Sequence, residues 1–239
     1  ITLHVLPPSH PCAAVDAALA LKGLEYERIE LPMDGTHLEL MEGIYGEGNT
    51  RVPGAVIDGE AVYGSNPIFE HLDAVSPGTH PLYPADKAEA VREAAQWGDE
   101  VLQPLGRSLA WGALAFRPDA LGLLGGGDLL DPAGTDWAMK FSRALWRRHE
   151  ISCVRIAEEL AALPSYVNHI NHLIAEGVIG DPDHPNAADL QIGATIAVLL
   201  VIGDVAPVIE GSPAAELAKL VAPRLGRIPA GAFPAGLMP

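Results

Sequence analysis

The sequence predicts two units of different class, an α/β domain followed by an all-helical domain. Three observations carry this. Strand and helix signals alternate through residues 1–76, a proline- and glycine-containing stretch interrupts the chain at 77–84, and helical periodicity dominates from 85 to 239. Those three ranges are the expected first domain, linker and second domain.

Residues 1–6 alternate apolar and polar positions with the period of a strand, and the Pro7-Pro8-Ser9-His10-Pro11 cluster ends it. Residues 12–22 are alanine-rich, carry Val15, Ala18 and Leu19 on one face and close at Gly23, as a helix does. Residues 26–31 form a second strand, and the intervening helix makes the two strands parallel neighbours. A short helix is expected over 37–45, with a turn at 46–49. Residues 55–57 and 61–63 flank Asp58-Gly59, the signature of a tight antiparallel hairpin. Ser65 can cap the next helix, Asn66 and Pro67 fit its first turn, and Ile68, Leu72 and Val75 give its apolar stripe. The order is βαβ-ββα, which implies a mixed four-stranded sheet.

In the second half Val91, Ala94, Gly98, Val101, Leu105 and Leu109 trace one stripe of a long helix, bent if it runs through Pro104. Gly125-Gly126-Gly127 marks a loop. A second long helix is expected over 135–163, marked by Trp137, Phe141, Leu145, Val154 and Leu160, and another begins at Pro164-Ser165. Asn186 starts the last strong helix, with Leu190, Ala194, Ala197 and Val201 inward. Asn186 and Asp189 have the spacing of a capping box, in which two side chains satisfy backbone N–H groups reciprocally.

Composition narrows the function. Hydrophobic residues make up 49% and charged residues 19%, the balance of a folded chain. The longest apolar run, 192–202, contains Gly193 and Thr195 and is too short to cross a bilayer, and no basic leader opens the sequence. Cys12 and Cys153 are too few for a disulfide framework, so a cytoplasmic setting is expected, with Cys153 a packing residue. A net charge of −16 disfavours nucleic acid and anionic membranes as partners. Arg143, Arg147, Arg148 and Arg155, at helical spacing, read as a solvated or ion-paired face, and an anionic small molecule would need locally placed donors. His169 and His172 lack a third ligand at suggestive spacing, so no metal is expected.

Three positions carry chemistry. Arg51-Val52-Pro53 precedes the hairpin; a cis proline there would turn the backbone of Val52 outward as a strand partner for a peptide-like ligand, whereas a trans proline would merely open the strand. Ser65 is sufficiently explained as a cap, yet a helix N-terminus also receives a carboxylate. Ser9 reads either as a loop or cap residue or as a hydroxyl donating to a thiolate that a ligand brings to the head of the first helix. His10 reads as an exposed loop residue or an added donor. Cys12 reads as a small buried hydrophobe or as a thiolate activated by the helix. Trp111 and Phe116 either line an apolar pocket beside Ser9 or belong to the core.

Together these positions resemble the glutathione transferase superfamily. The matching blocks are residues 9–27, the run 51–56 around Val52-Pro53, residues 63–72 around Ser65, and the capping segment 186–190. The resemblance, of a serine-type or bacterial class, implies a thioredoxin-like first domain and a glutathione-dependent transferase that conjugates the thiol to an apolar electrophile. It implies Ser9 as the catalytic hydroxyl and a glutathione site at Ser9, Arg51, Val52, Pro53, Ser65 and Asn66. In that site Val52 pairs with the cysteinyl unit, Ser65 receives the γ-glutamyl carboxylate and Arg51 reaches the glycyl end. His10 and Cys12 are secondary candidates, and a homodimer without metal is implied. Gly64 departs from the pattern, which commonly has Glu or Asp there for the ammonium of glutathione. The alternatives are a non-catalytic interaction module of the same fold and a thiol-redox enzyme acting through Cys12.

Overall fold

The structure is a computed structural model, and it describes residues 1–7, 9–221 and 226–239, so Pro8 of the breaker cluster lies outside the described residues. The first part runs β1 (Thr2–Val5), α1 (His10–Leu21), β2 (Glu27–Glu30), α2 (His37–Tyr45), β3 (Gly54–Ile57), β4 (Glu60–Tyr63) and α3 (Ser65–Val75). The sheet is mixed, in the order β2-β1-β3-β4, with β1 parallel to β2 and the β3–β4 hairpin antiparallel to β1. Asp58 and Gly59 both take positive φ, the conformation that matches a two-residue hairpin turn to the strand twist.

The helical part comprises α4 (Ala88–Trp97), α5 (Gln103–Phe116), α6 (Leu121–Leu124), α7 (Pro132–Arg148), α8 (Cys153–Ala175), α9 (Ala187–Leu200), α10 (Ala206–Ile209) and α11 (Pro213–Leu217). Several sequence expectations are corrected here. The first long helix is not simply bent at Pro104: a π segment, Gly98–Leu102, joins α4 to α5, so Pro104 falls in a first turn, where its missing N–H costs nothing. The wider turn shifts the register and leaves Val101 exposed instead of in the stripe. The helix expected over 135–163 is two helices. Glu150 adopts positive φ after α7, and the Ser152 side chain accepts from the Arg155 N–H to cap α8. Pro164 therefore sits inside α8, and Val154 and Cys153, at the exposed start of that helix, face solvent. Val75, at the end of α3, is likewise exposed.

The centre of the molecule is α9, buried at every position from Ala187 to Leu199. Its start is held by the capping box: the Asn186 side chain accepts from the Ala188 and Asp189 N–H groups, and Asp189 accepts from the Asn186 N–H at 2.9 Å and the Gly180 N–H at 2.6 Å. One face of α1 packs on α9, so one apolar cluster runs from the sheet into the helical part. The segment between α3 and α4 is pinned. Asp73 accepts from the Leu82 and Tyr83 N–H groups and from the buried Lys22 ammonium, while the Leu82 carbonyl accepts from the Ala187 N–H. The tail beyond the helices returns through an Ile202–Ile228 bridge, which places Ile228 over the end of α9.

Candidate active site

A cavity of about 490 Å³ opens between the two parts, walled by the head of α1, the start of α2, residues 50–52, α5, the end of α7, the end of α9 and Ile228. Each wall has a local cause. Ser9 holds the N-cap position of α1 in extended conformation, its carbonyl accepting from the Ala13 N–H at 3.1 Å. Ser9 is half-buried, lines the cavity and makes no side-chain cap bond. The Val52–Pro53 peptide is cis, and the Pro53 carbonyl accepts from the Gly64 N–H at 3.0 Å, which ties the segment to the end of the hairpin. Val52 lies on the cavity wall without a backbone hydrogen bond among the described residues. Gly54 must lack a side chain: a Cβ there would stand 2.4 Å from the Tyr45 ring, which packs across this strand and bonds His4 at 2.7 Å.

The remaining predicted positions divide. Arg51 and Trp111 line the cavity. Phe116 does not; it meets Trp146 and Phe233 edge-on in the core. Ser65 and Asn66 open α3 away from the cavity lining. Ser65 is not the cap, because Gly64 holds that position at φ 91°, a conformation that suits glycine better than the Glu or Asp the resemblance leads one to expect. Ser65 is 3% exposed, and its Oγ has no hydrogen-bond partner among the described residues. Asn66 donates to the Ala95 carbonyl at 3.3 Å.

His10 is no exposed loop residue. It is the first residue of α1, buried against Arg107, and burial, then that cation, lower its pKa to about 3. Cys12 is 1% exposed, and burial pushes its thiol up to about 12 despite a hydrogen bond from Ser9, so it stays a thiol at neutral pH. Arg107, His149 and His37, which the sequence does not single out, lie on the cavity wall, and so does Arg148, expected from the sequence on a solvated or ion-paired face. No motif marks them; only α7's approach to residue 50, where Arg148 bonds the Thr50 hydroxyl at 3.1 Å, brings that arginine in. Among the described residues no cluster of His, Cys, Asp and Glu could hold a metal, and no helix is long and apolar enough to cross a membrane.

His10 makes the fold acid-sensitive. Neutral when buried and protonated below about 6.5 when unfolded, it contributes stability above that pH and loses it as pH falls toward about 3, at up to about 1.4 kcal/mol per pH unit. Denaturant titrations between pH 7 and 4 should show a smaller loss in His10→Asn than in the parent chain; parallel losses would show that His10 does not titrate on unfolding.

Residues 3–80 match the family model of the glutathione S-transferase N-terminal domain. That segment carries the match to the N-terminal domain of this family, and the whole chain has the fold of solved glutathione transferases. Three solved structures show the extent of that likeness. The beta-etherase LigF from Sphingobium sp. strain SYK-6 is 21% identical, with a TM-score of 0.69 over 92% of this chain and 94% of that one. A glutathione S-transferase from Rhodospirillum rubrum F11 is 21% identical, with a TM-score of 0.56 over 92% of this chain and 86% of its own. Glutathione transferase F7 from Populus trichocarpa is 16% identical, with a TM-score of 0.56 over 92% of this chain and 99% of its own. At these identities the likeness establishes the transferase fold alone. No curated protein sequence matches the chain.

Proposed function

We propose that this protein is a glutathione-dependent transferase in which the Ser9 hydroxyl stabilises the glutathione thiolate. The observation that carries the reading is the placement of Ser9 at the head of α1, on the wall of a cavity that also holds Val52. The tripeptide would lie along residues 51–53, its cysteinyl unit pairing with the Val52 backbone next to Pro53 and its glycyl carboxylate at Arg51. Its γ-glutamyl carboxylate would reach the first turn of α3. There the buried Ser65 Oγ lacks a partner, and the N–H groups of Ser65 and Asn66 are among the helix's unpaired donors.

One hydrogen bond to sulfur favours the thiolate and lowers the thiol pKa, so the proton leaves to solvent at neutral pH. The sulfur then attacks an electrophilic carbon, a C–S bond forms, and the leaving group departs with its electron pair. The fold supplies proximity and an apolar wall of Trp111, Leu114, Phe141 and Leu145 for the electrophile. One similar structure is a beta-etherase, and an ether oxygen is such a leaving group. The buried, protonated Cys12 speaks against a redox reaction through that residue. The reading carries with it a cytoplasmic homodimer. Calorimetric titration with glutathione tests it: saturable heat is expected, weakened about tenfold in Ser65→Ala. No heat at millimolar glutathione overturns it.

A further inference from the structure

We infer that the electrophile carries an anionic group, a carboxylate beside an aromatic ring, and that Arg107 on α5 holds it. This rests on the glutathione reading above and narrows its substrate class.

The chain carries a net charge of −16, yet the cavity beside Ser9 is lined by three arginines and one carboxylate. Arg51, Arg107 and Arg148 supply its positive charge, while burial holds the lining imidazoles of His10, His37 and His149 below their ordinary pKa. Its one lining carboxylate, Asp34, is occupied by the hydroxyl and N–H of Thr36. Arg28, Arg92, Arg117, Arg155 and Arg227 each pair with a carboxylate, whereas among the described residues none of the three cavity arginines does. Arg143 and Arg147, exposed on α7 outside the cavity lining, also lack a carboxylate partner among the described residues, so it is the position of the three cavity arginines and not their lack of a partner that sets them apart.

They are not equivalent. Arg51 and Arg148 are exposed, and Arg148 is tied to Thr50 next to the strand segment on which the tripeptide would lie. Arg51 there is sufficient for its glycyl carboxylate. Arg107 is set deeper, half-buried beside His10 at the head of α1. Its recorded partner is the neutral Gln103 side-chain oxygen, and Gln103 is itself anchored on Asp99 at 2.7 Å. That arrangement orients the guanidinium, and Asp99 acts on it only at a distance, through Gln103, without a direct ion pair. A half-buried guanidinium with no carboxylate in contact keeps its planar fork available for an anion.

Arg107 and Trp111 are four residues apart on α5, so their side chains share one helix face about 5–6 Å apart. Trp111 meets Phe141 edge-on, with ring centroids 5.6 Å apart. An anion on Arg107 therefore places an attached aromatic ring on Trp111, with Ser9 on the same cavity wall. Benzoate-like electrophiles have that shape.

The test compares 4-fluoro-3-nitrobenzoate with its neutral amide. In both, the glutathione thiolate adds at the fluorinated carbon, the C–S bond forms and fluoride leaves. Measured against the uncatalysed reactions with glutathione, in which the neutral amide is the more activated compound, the parent enzyme should favour the carboxylate in kcat/KM by about 10- to 100-fold, and Arg107→Gln should bring the ratio close to the uncatalysed one. Arg107→Lys, which keeps the charge, should retain part of the preference. A carboxylate-to-amide ratio in the parent enzyme no higher than the uncatalysed ratio overturns the inference without any variant having to fold. Equal loss for both compounds in Arg107→Gln also overturns it, because the arginine would then be serving the thiolate. Calorimetry with 3-nitrobenzoate, which cannot react, separates the two readings. Arg107-dependent binding of it with no heat from glutathione supports the anion seat and removes the transferase reading. Glutathione heat without 3-nitrobenzoate binding removes the anion seat alone.

Discussion

Ser9→Ala is expected to lower kcat/KM for glutathione conjugation by about 100- to 1,000-fold, the usual effect of removing one aligned donor from a developing or stabilised anion. The serine hydroxyl lies where α1 begins, so the proposed bond to sulfur would be reinforced by the N–H groups and dipole of that helix end. Without the hydroxyl, bound glutathione should titrate closer to an ordinary thiol, near 8.5. The pH–rate profile of the variant should rise at higher pH than that of the parent enzyme. Because the tripeptide would be held mainly along residues 51–53 and at Ser65, its KM should change much less than kcat. Ser9→Thr, which keeps a hydroxyl, should recover part of the rate. A variant within threefold of the parent enzyme, with an unmoved profile, would remove Ser9 from the chemistry.

Asp189→Ala is expected to cost about 3–5 kcal/mol of stability. The carboxylate is fully buried and accepts from two backbone N–H groups, those of Asn186 and Gly180. Alanine would leave both donors buried and unpaired, at about 1–3 kcal/mol each, and would break the cap of the central helix. In a domain of this size about 1 kcal/mol moves Tm by 2–4 °C, so a fall of roughly 10 °C in thermal melts checks the value. A change under about 2 °C would refute it. Asp189→Asn, which keeps an acceptor oxygen, should lose less. The variant also has a pH signature. Burial raises the Asp189 carboxyl from 3.8 to about 6, although its two N–H donors favour the anion. A carboxyl whose native value is raised contributes most below the unfolded value and loses that contribution as pH climbs toward about 6. The alanine variant should lack this part of the slope.

Much of the fold was legible because its signals are local. Period-two alternation marked β1, Asp58-Gly59 marked the hairpin, and Asn186 with Asp189 marked α9. The errors fell where several local solutions compete. A proline at 104 is compatible with a bend, a stop or a π segment, and only the packing of α4 and α5 on α9 selects one. Residues 149–152 contain neither glycine nor proline, so the break between α7 and α8 left little trace. The site divides the same way. Ser9, Val52 and Ser65 sit beside strand ends and helix starts that the sequence reveals. Arg107 and Arg148 belong to helices whose faces are chosen by long-range packing, and a lone arginine on such a helix looks like any solvated one.

The contact between α1 and α9 bears on whether the two halves can be used separately. Ala14, Val15, Ala18 and Leu19 on α1 are sealed partly by the sheet and partly by α9, and Asp73 and Leu82 stitch the crossing between the halves. A chain severed there would bare an oily strip on one fragment and strip the other of its central pillar's neighbour. Grafting the first half onto a foreign helical partner therefore calls for transplanting α9 with it, or rebuilding its contact surface residue by residue.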